Sequence, residues 1–204
     1  MREHIKNEVE KQAERIFRDK LSDVEIRFDL EAGRPNFKMV QSYELPVAVN
    51  DQTLQFYGRQ LEMSLFEPVF DRHFDSDLER SFARYLDEQK ALKWWHRIAV
   101  RQGGDYYLRG WKQERIWPDF VAMAWQSENE PHLLVFETKG EHLRGNENTD
   151  YKLRVFETLE NAFDVGYMTI CDGPAKGTFK LIFSEEEFPV ALANLKDSYN
   201  ANGG

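Results

Sequence analysis

Three side chains with the chemistry to bind a cation and activate water lie in or beside two apolar runs. Asp119 interrupts the run 116–121, and Glu137 and Lys139 close the run 133–136. Burying an unpaired ionised group costs several kcal/mol, so charge inside core-like strands points to a function. Carboxylate oxygens suit Mg²⁺, which takes one or two carboxylates together with waters and phosphate oxygens. A lysine beside the ion can orient a water for attack on phosphorus.

These residues can meet only if the two runs are paired strands. Side chains of a strand alternate between faces, so Glu137 and Lys139, two residues apart, share one face. Pairing across the polar turn QSENEP brings Asp119 to that face near the strand ends. The same spacing also occurs by chance in soluble proteins, where Glu137 and Lys139 would form a surface ion pair worth about 0 to 1 kcal/mol. Both interpretations stay open on the spacing alone.

A further acid, Glu79, falls on the apolar side of the helix predicted in FDSDLERSFARYLDEQ. At about 100° per residue, Phe82 and Leu86 form a stripe that includes Glu79, whereas the other charged residues lie opposite. The stretch that begins at Ser76 also has capping-box spacing, which explains Glu79 without any site. A capping role and a site role are compatible.

The surrounding pattern predicts an α/β sandwich with a mixed sheet. Residues 4–21 have helical apolar spacing, and short β-rich pieces follow at VEIRF, FKMVQSYELPVAV and TLQFYG. From residue 75 the order is helix, three or four strands, helix, strand, strand. We therefore divide the chain into an N-terminal α+β arm at 1–70 and a second domain at 71–200.

Within the second domain, turn and capping residues predict where the helices and strands begin and end. Gly103-Gly104 predicts a hairpin turn between WWHRIAVR and DYYLRG. Thr149 is the expected N-cap of a helix in DYKLRVFETLENAF, and Ser184 that of a helix in EEEFPVALANL. Two strands, VGYMTIC and TFKLIFS, are expected between these helices.

Composition restricts the class of protein. The chain has 204 residues, a net charge of −9 and one cysteine, which suits a reducing cytoplasm and excludes an internal disulfide. The N-terminus has no secretory h-region, and no apolar run is long enough to span a bilayer. Residues 93–115 nevertheless hold six Lys or Arg against two acids. This local positive charge is compatible with contact to a polyanion, and equally with an ordinary solvated hairpin. Aromatic residues there could stack on bases, although such side chains more often pack in a core: Trp94, Trp95, Tyr106, Tyr107 and Trp111.

The order Glu79, Asp119, Glu137 and Lys139 on helix, strand and strand resembles the PD-(D/E)xK nuclease superfamily. The blocks FDSDLERSFARYLDEQ, WWHRIAV, YYLRGW, IWPDFVA and LLVFETKGEHLRGNENTDYK are similar to the C-terminal endonuclease domain of type III restriction-enzyme Res subunits and related DEAD/DEAH-type helicases. The resemblance covers residues from about 75 to 165. It implies a restriction-endonuclease-like α-β-β-β-α-β sandwich and hydrolysis of a DNA phosphodiester bond.

The resemblance also implies roles for individual residues. Asp119 and Glu137 would hold Mg²⁺, or Mn²⁺, with the backbone carbonyl of Thr138. Lys139 would position the attacking water, and Glu79 would support the metal shell. The candidate DNA contacts lie beside the ExK strand or in the basic stretch: Lys152, His142, Arg97 and Arg101. Ile98 and Trp117 depart from the family's usual Asn and Tyr, which affects DNA contacts or packing but not the metal site.

Partners and rival functions follow from what the sequence lacks. No G-x-x-x-x-G-K-[ST] phosphate loop occurs, so the chain is expected to be a fragment or a stand-alone nuclease module, separate from the ATP-dependent motor. DNA, a helicase/ATPase motor and a modification subunit are the expected partners, and no membrane is. One rival is a nuclease-like docking or structural module that no longer cuts, although its acids and lysine are intact. Another is an unrelated α/β binding domain with surface charges.

Overall fold

The computed structural model describes residues 2–22, 50–98, 106–127, 130–166, 169–170, 173–193 and 195. The strands expected at VEIRF and FKMVQSYELPVAV, the Gly103-Gly104 turn, Arg101 and the single cysteine lie outside these ranges. None of the helices in the described part of the chain is long and apolar enough to cross a bilayer.

The described residues form four α-helices and ten strands, with three short 3₁₀ helices. The α-helices are α1 (Arg2–Ser22), α2 (Asp77–Asp87), α3 (Glu147–Asp164) and α4 (Phe188–Ala191). The strands are β1 (Gln55–Phe56), β2 (Arg59–Gln60), β3 (Leu92–Arg97), β4 (Leu108–Arg109), β5 (Arg115–Ile116), β6 (Phe120–Ser127), β7 (Glu130–Thr138), β8 (Thr169–Ile170), β9 (Gly173–Pro174) and β10 (Lys176–Ile182). The 3₁₀ helices are Asp71–His73, Glu141–Leu143 and Glu185–Glu187.

The central sheet has the order β10-β7-β6-β3. β10 runs parallel to β7, whereas β6 is antiparallel to both β7 and β3. The predicted α/β fold with a mixed sheet is therefore confirmed, as is the pairing of the two apolar runs. The predicted partner of DYYLRG is not seen in the described part of the chain, where β4 pairs with β5 and β3 pairs with β6.

Helices cover both faces of this sheet. On one face Val121 and Val135 pack with Phe156 of α3, and α1 reaches the same cluster through Phe17. On the other face the neighbouring residues of β6 and β7 pack against Phe82 of α2 and against α4. Because both faces are buried, β6 and β7 are almost continuously apolar rather than alternating. A charged residue in these strands therefore has to be compensated locally.

The helix starts show how well capping residues can be placed from sequence. Ser76 caps α2 as predicted, because its hydroxyl accepts a hydrogen bond from the Glu79 amide at 3.2 Å. Thr149 is wrong as the cap of α3. Asn146 caps this helix, and its side-chain oxygen accepts from the Thr149 amide at 2.7 Å. Ser184 precedes a 3₁₀ turn rather than a long helix, and its side chain makes no capping bond.

Residues 50–70 are fastened to the sheet and to α2. The Asp87 carboxylate accepts hydrogen bonds from the amides of Glu62 and Met63 and from the Trp95 indole, at 2.8 to 3.1 Å. Trp95 also exchanges backbone hydrogen bonds with residues 63–65, at 2.9 and 2.7 Å. Leu54 and Leu61 share a core cluster with α2. The division of the chain at residue 70 stays a prediction.

Candidate active site

The predicted site residues converge where β3 and β7 end and β6 begins. β6 and β7 pair with Phe120 opposite Phe136, and the Asp119 amide donates to the Phe136 carbonyl at 2.9 Å. One further step of this register places Asp119 opposite Glu137. Directly opposed residues of an antiparallel pair point to the same face. The pairing therefore brings the two acids together, as the sequence predicted.

Glu137 is the most deeply buried acid of the site, with 1% of the residue exposed. Its Oε1 contacts the Lys139 ammonium and lies 2.5 Å from the Lys152 ammonium. Its Oε2 is fully buried and has no hydrogen-bond partner among the described residues. Buried polar atoms are nearly always satisfied, so a buried carboxylate oxygen without a partner indicates a missing ligand such as a water or an ion.

The pKa values of Glu137 and Lys139 are both raised in the folded protein. Desolvation raises the pKa of Glu137, the nearby Asp119 charge raises it further, and the two lysines oppose the shift. For Lys139, burial alone would lower the pKa, but the carboxylates, Glu137 foremost, raise it above its ordinary value. Lys139 is therefore protonated at neutral pH and acts as a hydrogen-bond donor there.

Asp119 is held by the backbone and side chain of the residue that follows Glu137. Its Oδ2 accepts hydrogen bonds from the amide and the hydroxyl of Thr138, both at 2.7 Å. Its Oδ1 lies 3.6 Å from the Arg97 guanidinium. Asp119 is 8% exposed, so two hydrogen-bond donors and the nearby guanidinium charge compensate a buried carboxylate. The orientation of its carboxylate is fixed before any ligand arrives.

Glu79 and Arg97 form a buried ion pair beside Asp119. Arg97 donates to Glu79 at 2.8 Å and to the backbone carbonyls of Ile98 and Asp119 at 2.7 and 3.1 Å. The Glu79 carboxylate also accepts from the Asp75 amide at 2.9 Å, which is a displaced form of the predicted capping box. Desolvation raises the pKa of Glu79 despite the Arg97 charge, and Asp119 adds to the shift.

All of these acids line one cleft of about 340 Å³. Lys139 and Lys152 line it too, as do Arg115, Trp117 and Tyr151. The three acids and three cations of this cluster balance in formal charge. Within the described residues, no group of three or more His, Cys, Asp or Glu side chains is arranged to hold a metal ion.

The three candidate DNA contacts that the structure describes differ in their exposure. Arg97 is buried, and its terminal nitrogens are used inside the protein, so it supports Glu79 and Asp119 instead of reaching a ligand. Lys152 projects from the first turns of α3 into the cleft. His142 is exposed in the 3₁₀ turn after β7.

Sequence reasoning missed two features of the site. Arg97 as the partner of Glu79 has no local signal, because the two residues lie on different elements. Lys152 as a second lysine on Glu137 has one weak signal, its place on the first turns of the helix that follows the ExK strand. Both contacts depend on how α2 and α3 lie over the sheet.

The chain was compared with models of known protein families, with curated proteins and with solved structures, and none of them matches it.

Proposed function

We propose that this chain is a Mg²⁺-dependent DNA endonuclease domain of the PD-(D/E)xK type, similar to the domain carried by type III restriction-enzyme Res subunits. The observation that carries the proposal is the buried Glu137 Oε2 without a partner, in the same cleft as Asp119 and Lys139. The finer fold assignment, a restriction-endonuclease-like α-β-β-β-α-β sandwich, belongs to the same proposal. The order α2, β3, β6, β7, α3, β10 supports it.

The donor set fits a magnesium ion. Asp119 and Glu137 would hold it together with the Thr138 carbonyl, and Mg²⁺ commonly uses one or two carboxylates with several waters. Bound there, the ion would polarise the phosphate and lower the pKa of a coordinated water. Glu79, already occupied by Arg97, supports Asp119 through that arginine. Its direct ligation of the ion stays a prediction.

The two lysines have complementary roles in this proposal. Lys139 is protonated at neutral pH, so it orients the attacking water by donating a hydrogen bond, without accepting the proton itself. Lys152 contacts the same Glu137 oxygen from α3, so it can stabilise negative charge that develops on the phosphate. With Glu137 holding a divalent cation, Lys139 and Lys152 would be available to contact the substrate.

The test is cleavage of supercoiled plasmid DNA by the full chain with Mg²⁺ or Mn²⁺. Asp119→Asn and Lys139→Ala are expected to lower the nicking rate by about 10²- to 10⁴-fold, the usual contribution of such groups. Lys11→Ala, which removes an exposed lysine of α1 paired with Glu8, is the matched control and should cut like the parent. Equal cutting by parent and Asp119→Asn would overturn the proposal.

A second candidate is a nuclease-like module that docks or scaffolds without cutting. The observation that favours it is the balance of three carboxylates by Arg97, Lys139 and Lys152, which stabilises the cluster without a metal. Calorimetric titration separates the two. The nuclease should bind Mg²⁺ or Mn²⁺ and lose that binding in Glu137→Gln. The docking module should bind neither ion and leave plasmid DNA intact.

A further inference from the structure

The β4–β5 hairpin carries an arrangement of arginine and aromatic side chains beside the cleft. The Arg115 guanidinium lies 4.2 Å from the Tyr107 ring centroid and 5.9 Å from that of Trp117. Arg109 lies over the same tyrosine at 5.7 Å. The Tyr107 and Trp117 rings are 5.3 Å apart and tilted by 52°. We call these four residues the hairpin platform.

The hairpin platform holds two like charges on directly paired residues. Arg109 and Arg115 are direct cross-strand partners, and both are exposed. Like charges directly opposite each other destabilise a strand pair. In the described part of the chain, neither guanidinium forms an ion pair with a carboxylate, whereas Arg97 and Arg154 each do. The arrangement therefore suits an anionic ligand that lies between the two arginines.

The hairpin platform is continuous with the cleft. Arg115 and Trp117 line the cleft together with Asp119 and Glu137. Trp117 packs against the core on one side, which holds its ring in place. A ligand could therefore contact Arg109 and Arg115 through phosphate groups and the Trp117 ring through a flat group. Such a ligand would extend towards Asp119 and Glu137.

We infer that the hairpin platform binds unpaired nucleic acid and directs its backbone into the cleft. The inference rests on the proposed function and names its substrate class as single-stranded DNA or the separated strand at a duplex end. A base stacks on Trp117, and the phosphates beside it contact Arg109 and Arg115. Aromatic stacking requires an exposed base face, which a paired strand does not offer.

The aromatic residues involved differ from those singled out in the sequence. Trp95 and Tyr106 are fully buried, and the Trp95 indole donates to Asp87, so neither can meet a base. Trp111 packs at 90° against Tyr151. Of the aromatic residues considered, Tyr107 is the one placed on the hairpin platform. The other ring is that of Trp117, at a position where the family that the sequence resembles usually has a Tyr.

The test is binding of a fluorescein-labelled twelve-nucleotide oligo-dT by the full chain, read by anisotropy in EDTA so that no cleavage occurs. The parent is expected to bind this strand more tightly than a duplex of the same length. Trp117→Ala should weaken binding by about 5- to 150-fold, the fold-change that corresponds to one lost stacking contact. Trp117→Phe keeps an aromatic face and should restore most of the affinity.

Two matched controls separate the hairpin platform from general effects. Trp125→Ala removes an exposed tryptophan about 20 Å along β6 from Asp119, at roughly 3.3 Å per residue, and should bind like the parent. Arg115→Gln should reduce the salt dependence by about 0.7 in the slope of log K against log salt, as one lost phosphate contact on a single strand does. Arg59→Gln, an exposed arginine on β2, should leave that slope unchanged.

Equal affinity for duplex and single strand, or unchanged binding by Trp117→Ala, would overturn the inference. Either result leaves plasmid nicking untouched, so the endonuclease proposal would survive it. Conversely, tight oligo-dT binding that depends on Trp117, without cutting in Mg²⁺ or Mn²⁺, would support the hairpin platform and reject the nuclease.

Discussion

His132 makes the stability of the fold depend on pH. It lies in β7 with 3% of the residue exposed, and its Nε2 is 2.8 Å from the Thr178 hydroxyl. Its Nδ1 is buried, and no described residue forms a hydrogen bond with it. Desolvation, with a further contribution from the Lys176 charge, lowers the pKa of His132 from 6.5 to about 4. The imidazole is therefore neutral in the folded protein and takes up a proton when the chain unfolds at mildly acidic pH.

The sign and size of the effect follow from proton linkage. Below the unfolded pKa of about 6.5 the unfolded chain binds more protons, so the free energy of unfolding falls as the pH falls. At about 1.36 kcal/mol per pKa unit, His132 should cost about 2 kcal/mol between pH of about 7.5 and about 5, and about 3 kcal/mol by pH of about 4. Glu79 and Glu137 act in the opposite direction, because raised acid pKa values make the folded protein more stable as the pH falls.

The assay is urea unfolding followed by circular dichroism at both pH values. His132→Gln keeps a group that can reach Thr178 but cannot be protonated, so the parent should lose about 2 kcal/mol more than this variant on acidification. Comparison with the variant cancels the contributions of the acids. His142→Gln removes an exposed histidine and should behave like the parent. If parent and His132→Gln lose the same free energy between the two pH values, the reasoning is refuted.

Three further perturbations test the site and its support. Glu137→Gln removes the buried carboxylate that contacts both Lys139 and Lys152, so plasmid nicking should be lost, and nicking at the parent rate would contradict its role. Arg97→Met leaves Glu79 buried without its partner and should lower the free energy of unfolding by about 3 to 5 kcal/mol. Adding Glu79→Gln should recover part of this lost free energy, and no recovery would contradict the pairing. An alanine Cβ at Gly177 would lie 2.2 Å from a buried phenylalanine ring of α3, so Gly177→Ala should lower the free energy of unfolding in urea by about 1 to 3 kcal/mol. Gly173→Ala is the control, because the nearest atom to its added Cβ would be at 3.5 Å, and it should lower this free energy less.

Local rules placed the elements that carry the acids. The two apolar runs form β6 and β7, and the period of two puts Glu137 and Lys139 on one face, where they touch. Ser76 caps α2 as its spacing indicated. These features depend on residues close in sequence, or on one hairpin, so the sequence alone was sufficient to predict them.

Contacts between distant elements were not predictable in the same way. Arg97 is in a strand whose alternation shows which face it occupies but not that Glu79 of α2 lies above it. At the start of α3, two residues with capping chemistry stand three positions apart, and the earlier one, Asn146, is the cap. Likewise the sequence predicted WWHRIAVR as the partner of β4, whereas the structure pairs β4 with β5. Each outcome is decided by tertiary packing.

The backbone bonds between Trp95 and residues 63–65 have a consequence for self-association. They use the outward donor and acceptor of Trp95 in β3, so a second chain cannot pair with this residue without displacing the segment. The opposite margin of the sheet is β10, which carries Lys176 and Lys180. Lysines on an outer strand discourage sheet-to-sheet growth. In the described part of the chain, both margins of the sheet thus oppose the addition of a strand, and we expect this sheet to resist fibrous aggregation when the protein is concentrated or warmed.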